Sequence, residues 1–141
     1  MKARRFIALA LAIALSACHL SPAFAQSFPR TFDSVASTNS TLVVTGNVQI
    51  RALIAANTTV VIYWLKLYDT AVAPTCGTTL PVVFKMPIPF GASNAGGGFA
   101  IPIPDGLQFK NGLGFCITAN QADSDATVAA TGLVVDFGIK Q

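Results

Sequence analysis

Residues 60–88 read VVIYWLKLYDTAVAPTCGTTLPVVFKMPI, and this stretch decides the fold. Val61, Tyr63, Leu65 and Leu67 share one parity, and Ile62, Trp64, Lys66 and Tyr68 share the other. A period of two belongs to an extended strand, so Thr58 to Asp69 is the longest predicted strand. Val82, Phe84, Met86, Ile88 and Phe90 alternate in the same way with Val83, Lys85, Pro87 and Pro89. Proline has no N–H for a ladder, which predicts an edge position or an early exit from the sheet. Thr70 to Leu80 lies between the two runs, carries Pro74 and Gly77, and suits neither regular structure.

The flanking chain repeats the pattern. Leu42-Val43-Val44 is a short strand, and Thr45-Gly46-Asn47 turns the chain. Val48, Ile50, Ala52 and Ile54 then alternate with Gln49, Arg51 and Leu53, and residues 55–57 read as a turn. Gly91 to Gly98 reads as a hairpin tip, from which Phe99, Ile101 and Ile103 return with Pro102 and Pro104 outward. Asp105-Gly106 and Asn111-Gly112 are turn signals, the second a strong one. Leu113, Phe115, Ile117 and Ala119 make another core face, followed by a polar loop from Asn120 to Thr127. Leu133, Val135, Phe137 and Ile139 close the series. About eight short strands with Gly/Pro/Asn turns predict an all-β protein, a single antiparallel β-sandwich of Ig-like or jelly-roll type over residues 42–141. Residues 26–41 are polar and Ser/Thr-rich, and read as an N-terminal arm or a first irregular strand.

The first 25 residues have the layout of a secretory signal. Lys2, Arg4 and Arg5 precede an apolar core from Phe6 to Leu15, too short to span a bilayer, and Ala23-Phe24-Ala25 offers a small-x-small cleavage site. Leu15-Ser16-Ala17-Cys18 also matches a lipobox, in which Cys18 becomes acylated and N-terminal. Both readings predict export, to the periplasm or beyond; only the second attaches the chain to a membrane, as an outer-membrane lipoprotein. Removing Lys2, Arg4 and Arg5 leaves six basic residues against six acidic ones, all Asp. A neutral domain gives no reason to expect nucleic acid as a partner. Cys76 and Cys116 remain as an even pair, which in an oxidising compartment predicts a disulfide rather than two free thiols.

Little in the mature chain could do chemistry. It has no Glu, and the one His, His19, is removed by the Ala25 cut or sits beside the anchor in the lipobox case, so no Ser-His-Asp or Cys-His arrangement and no Glu acid/base pair is expected. No enzyme and no cofactor is expected. Asn120, Asp123 and Asp125 place three oxygen side chains in one loop, as a calcium site could use, although the loop lacks the Gly and distal Glu of a helix-loop-helix site. Asn39 and Asn57 begin Asn-x-Thr triplets, which carry little weight behind a bacterial-looking leader. The parity of Ile62, Trp64, Lys66 and Tyr68 is unusually aromatic for a solvated surface. It is read either as a face covered by a loop or the arm, or as a face for a protein partner or self-association.

The run Leu65-Lys66-Leu67-Tyr68-Asp69, followed by Ala73-Pro74-Thr75, Gly77-Thr78-Thr79 and Pro81, resembles small β-sandwich structural domains of tailed-phage virions. The resemblance continues in order through Pro87-Ile88-Pro89, Asp105-Gly106-Leu107-Gln108-Phe109, Gly112 to Thr118, and Ala122-Asp123-Ser124-Asp125, covering most of residues 38–139. It implies a non-enzymatic structural role on a particle surface or tail. The leader departs from that pattern and implies the same fold placed in an envelope or secreted protein. The expected function is therefore structural or adhesive, through protein–protein contacts at an exposed edge or the Trp64/Tyr68 face. The alternative is a periplasmic or membrane-anchored module that binds a glycan or small molecule.

Overall fold

The computed structural model describes residues 28–91, 95–129 and 131–141; the predicted leader and Cys18 lie outside the described residues. Eight strands follow in order: β1 (Phe28–Asp33), β2 (Thr41–Thr45), β3 (Val48–Asn57), β4 (Tyr63–Asp69), β5 (Phe84–Ile88), β6 (Gly97–Phe109), β7 (Gly112–Thr118) and β8 (Leu133–Lys140). They form two antiparallel four-stranded sheets, ordered β1-β8-β3-β6 and β2-β7-β4-β5. No described residue is helical. The all-β reading and the two-sheet sandwich hold.

The core lies between the sheets. Val48, Ile50 and Leu53 of β3 and Val135, Phe137 and Ile139 of β8 face Leu65 and Leu67 of β4 and Leu113, Phe115 and Ile117 of β7. All are essentially buried, each at about 1.5–3 kcal/mol relative to an exposed side chain. Phe32, Phe115 and Phe137 form an aromatic triad with centroids 5.2–5.9 Å apart.

The first correction concerns the boundary at residue 42. β1 pairs with β8 over six residues, from Phe28↔Ile139 to Asp33↔Val134, so the sandwich already includes residues 28–33. Phe32 packs this segment against the core.

The second concerns β3, which continues through Ala55 to Asn57 instead of turning there. Its register slips between Ile50 and Ala52, where residues 103–106 of β6 oppose Arg51 alone. The bulge reverses the expected parity: Leu53 is 1% exposed and Ile54 is 48% exposed. The Asp105-Gly106 turn is this bulge, inside a continuous β6.

The third concerns connections. β5 and β6 lie in different sheets, so the segment around residue 91 is a crossing and not a hairpin tip. β4 starts at Tyr63 because Asn57 bends residues 58–62. Its Oδ1 accepts from Thr59 N, and its Nδ2 donates to Val61 O and to Ile88 O. β5 is an edge strand, as its prolines required.

Asn111-Gly112 likewise carries the chain from one sheet to the other. Asp69 Oδ1 holds this crossing by accepting from Asn111 N at 2.7 Å and Gly112 N at 3.4 Å. Gly112 has φ +148°, and a Cβ there would lie 2.5 Å from Thr70 O and 2.7 Å from Val44 O. Both are backbone oxygens, one in β2 and one directly after β4, and cannot step aside. Gly112→Ala is expected to cost about 2 kcal/mol in urea unfolding; a loss within 0.5 kcal/mol would mean the crossing is softer than its geometry.

Candidate functional site

β4 decides which surface is available to a partner. Tyr63, Leu65 and Leu67 point into the sandwich, so Lys66 and Tyr68 point to the outer face of the second sheet. That face is not open. The connector from Thr70 to Val83 and the loop after β7 close over it, and Lys66 is 0% and Tyr68 1% exposed.

Three contacts fasten the cover. The Cys76–Cys116 disulfide joins the connector to the middle of β7 with a Cα–Cα distance of 6.0 Å, and Tyr68, Leu80 and Val82 pack around it. Pro74 sits on Gly114, where a Cβ would lie 2.8 Å from the proline Cδ, and Ser40 Oγ donates to Pro74 O. Lys66 Nζ donates to Ala122 O at 2.5 Å and to Asp125 O at 3.3 Å.

The expected interaction face of Ile62, Trp64, Lys66 and Tyr68 is therefore corrected. Lys66 and Tyr68 are interior, Trp64 is half-buried, and Ile62 precedes the strand on an exposed bend. The covered-face reading is the one the molecule adopts, and the covering segments are the connector and the 119–127 loop. The disulfide is present as expected and is compatible with an oxidising compartment.

Burial lowers the Lys66 pKa from its ordinary 10.5, with Asp125 and Asp123 acting in the opposite sense. The Tyr68 pKa is raised from 10.0, by burial first and then by Asp123. The Tyr68 hydroxyl has no hydrogen-bond partner among the described residues. A buried hydroxyl without a partner costs roughly 1–3 kcal/mol. Tyr68→Phe is therefore expected to stabilise the domain by about 1 kcal/mol at pH 7. Because the phenol is held above 10.0, the unfolded chain ionises first, and stability falls as pH rises past 10. The Phe variant should lack that alkaline fall; thermal melts at pH 7 and 11 would check both expectations.

The calcium candidates do not converge on a cation position. Asp123 Oδ1 pairs with Lys85 Nζ at 2.7 Å. The Asp125 carboxylate accepts from Asn120 N at 2.8 Å, from Asn120 Nδ2 and from the Thr127 amide and hydroxyl. Partial burial opposes its ionisation, but these donors outweigh that and hold the carboxyl far below the usual carboxylate range. The loop's inward carbonyls, Ala122 O and Asp125 O, are met by the Lys66 ammonium. The loop thus takes its positive charge from the protein's own lysine. No group of three or more metal-ligating side chains occurs among the described residues. Asn39 and Asn57 are 7% and 0% exposed and have structural hydrogen bonds, so neither presents a sugar acceptor.

Exposed apolar surface lies elsewhere. Of the nine large apolar side chains exposed among the described residues, six are Val35, Val60, Val61, Ile62, Phe90 and Val128. The registers Asp33↔Val134, Asn57↔Gly97, Tyr63↔Ile88 and Trp64↔Thr118 place their loops together at one end of the sandwich. Ala129 N donating to Ser37 O ties two of these loops to each other. Strand parity could not find this cluster: it grouped Val61, Ile62 and Phe90 with strand residues, yet all six lie between or just beyond strands.

The opposite end has a shallow cleft of about 280 Å³, lined by Asn47, Val48, Gln49, Gln108, Lys140 and Gln141. Gln108 Nε2 donates to Asn47 Oδ1 and Val48 O, and Gln49 Nε2 to Asp105 O, so part of the amide surface is spent internally. No family model, no curated protein and no solved structure matches the chain.

Proposed function

We propose that this is an exported, non-enzymatic structural or adhesive protein that works through protein–protein contacts. The observation that carries the reading is the collection of exposed apolar side chains on the loops of one end. Such an exposed apolar surface suits another macromolecule, whereas small ligands are held in concave sites. The ordered motifs from Leu65-Lys66-Leu67-Tyr68-Asp69 to Ala122-Asp123-Ser124-Asp125 support a role like that of the phage structural domains they resemble. The reading takes the leader as cleaved after Ala25, with acylation of Cys18 as the variant that would tether the domain to a membrane.

One observation favours the second reading, a glycan- or small-molecule-binding module. The amide-rich cleft beside Lys140 offers donors and acceptors of the kind that meet hydroxyls or carboxylates. Native mass spectrometry of the full chain exported from a Gram-negative host separates the two. Oligomers of unlipidated chains beginning at Gln26 support the structural reading. A monomer with saturable shifts of the Gln49 and Gln108 amide resonances on titration with oligosaccharide would move the assignment to the binding module.

A further inference from the structure

Six asparagines occur in the chain, and only Asn111 is followed by glycine. The structure sets it apart a second time. Asn39 and Asn57 are buried with their side-chain amides hydrogen-bonded, Asn47 Oδ1 accepts from Gln108 Nε2, and Asn120 Nδ2 donates to Asp125 Oδ1. Asn94 lies outside the described residues. Asn111 is exposed, and its side chain makes no hydrogen bond among the described residues. Asparagine is a thermolabile side chain, and an unbonded amide lies within reach of the backbone nitrogen that follows it.

We propose that Asn111 is a deamidation site, attacked by Gly112 N, and that the Asp69 carboxylate holds the reaction back. In the first step Gly112 N gives up its proton and bonds to Asn111 Cγ. The side-chain nitrogen leaves as ammonia, and a succinimide ring closes. Water then opens the ring at either carbonyl and leaves an aspartate or an isoaspartate at position 111. One water enters and one ammonia departs, with no change of oxidation state. Gly112 has no side chain to hinder its nitrogen, whereas the other described asparagines precede Ser40, Val48, Thr58 and Gln121.

The peptide between the two residues is held from both sides. Gly46 N donates to Asn111 O at 2.8 Å, and Asp69 Oδ1 accepts from Gly112 N at 3.4 Å. The attack needs that N–H to ionise, and an anion beside it opposes the loss of the proton. Partial burial resists ionisation of Asp69, but the N–H groups of Asn111, Lys110 and Gly112 and the Lys110 charge keep its carboxyl below the ordinary 3.8. It is therefore an anion throughout the neutral range. The product would loosen the crossing that contains it. Either form puts a second carboxylate near Asp69, and isoaspartate adds a methylene to the main chain directly before Gly112. A Cβ on Gly112 would lie 2.5 Å from Thr70 O, so the crossing has no slack for a longer chain.

Peptide mapping by mass spectrometry on the full chain, aged at about pH 8, tests this, with aspartate and isoaspartate peptides separated by elution. Wild type unfolded in urea should convert at Asn111 ahead of every other asparagine. Folded wild type should convert there roughly tenfold more slowly. Asp69→Asn keeps an oxygen acceptor and removes the charge, so the folded variant should regain most of that factor. Asp69→Ser, also an uncharged acceptor, is the second variant should the first not fold. An unfolded chain that converts first at another asparagine overturns the site. So does a folded, uncharged variant that stays intact while the unfolded chain converts. Folded wild type that reacts as fast as the unfolded chain, or as fast as the uncharged variants, overturns the restraint by Asp69.

Discussion

Cys76→Ser/Cys116→Ser is expected to lower stability by about 4 kcal/mol, with a fall in Tm of roughly 15 °C. The bridge closes a loop across a sequence separation of 40 residues, which in the chain-entropy account constrains the unfolded state by about that amount. Its position adds a second effect. Between Thr70 and Val83 the chain has no regular structure, and the disulfide with Leu80 and Val82 packed around it, Pro74 on Gly114 and a few hydrogen bonds hold it over β7 and β4. Without the bridge this cover should open locally before the sandwich melts. Hydrogen exchange of residues 63–69 on the reduced and oxidised protein would show it as faster exchange at Lys66 and Tyr68. Equal Tm and equal exchange in the two states would falsify the account.

Lys66→Ala should be nearly as damaging, at about 3 kcal/mol, whereas Lys66→Met should stay within about 1 kcal/mol of wild type. The stem of Lys66 is packed under the 119–127 loop, and the alanine would leave that volume empty. Methionine refills it and gives up only the bonds to Ala122 O and Asp125 O, which belong to a solvent-facing loop and can turn to water. Urea titrations of both variants would decide it; equal losses would mean that the charge and not the stem matters.

The pH dependence at this position has a definite sign. Burial lowers the folded pKa below 10.5, so between the two values the unfolded chain holds more protons and stability rises with pH. Tyr68, raised from 10.0, acts in the opposite direction in the alkaline range. Lys66→Met should abolish the rise and uncover the fall due to Tyr68.

Strand identity was legible because it depends on parity alone. β4, β7 and β8 show the expected inward sets except for Val61, which precedes β4 and is exposed, and the disulfide followed from an even pair of cysteines. Features that depend on distant partners were not legible. A bulge is invisible in composition, so Leu53 and Ile54 exchanged faces. A Gly-rich turn within a sheet and one that crosses between sheets use the same residues, which hid the crossings around Gly91 and Asn111. That the Lys66 face is covered was open to the sequence, but what covers it was not, because the carbonyls that receive the ammonium lie 56 and 59 residues further along the chain. Of the apolar end only Ile62 was singled out, as part of a strand face, for a related reason. Its six side chains belong to separate loops that only the registers bring together.

The place of β8 has a consequence for the order in which the protein can come into being. It lies between β1 and β3, so the first sheet lacks an interior strand until residues 133–140 have been made. A nascent chain that has emerged only through β7 can assemble the second sheet but has nothing to join β1 to β3. Closure must therefore wait for the last tenth of the chain. If the chain is exported as proposed, a secretion channel that threads only unfolded polypeptide would meet it while it is still threadable.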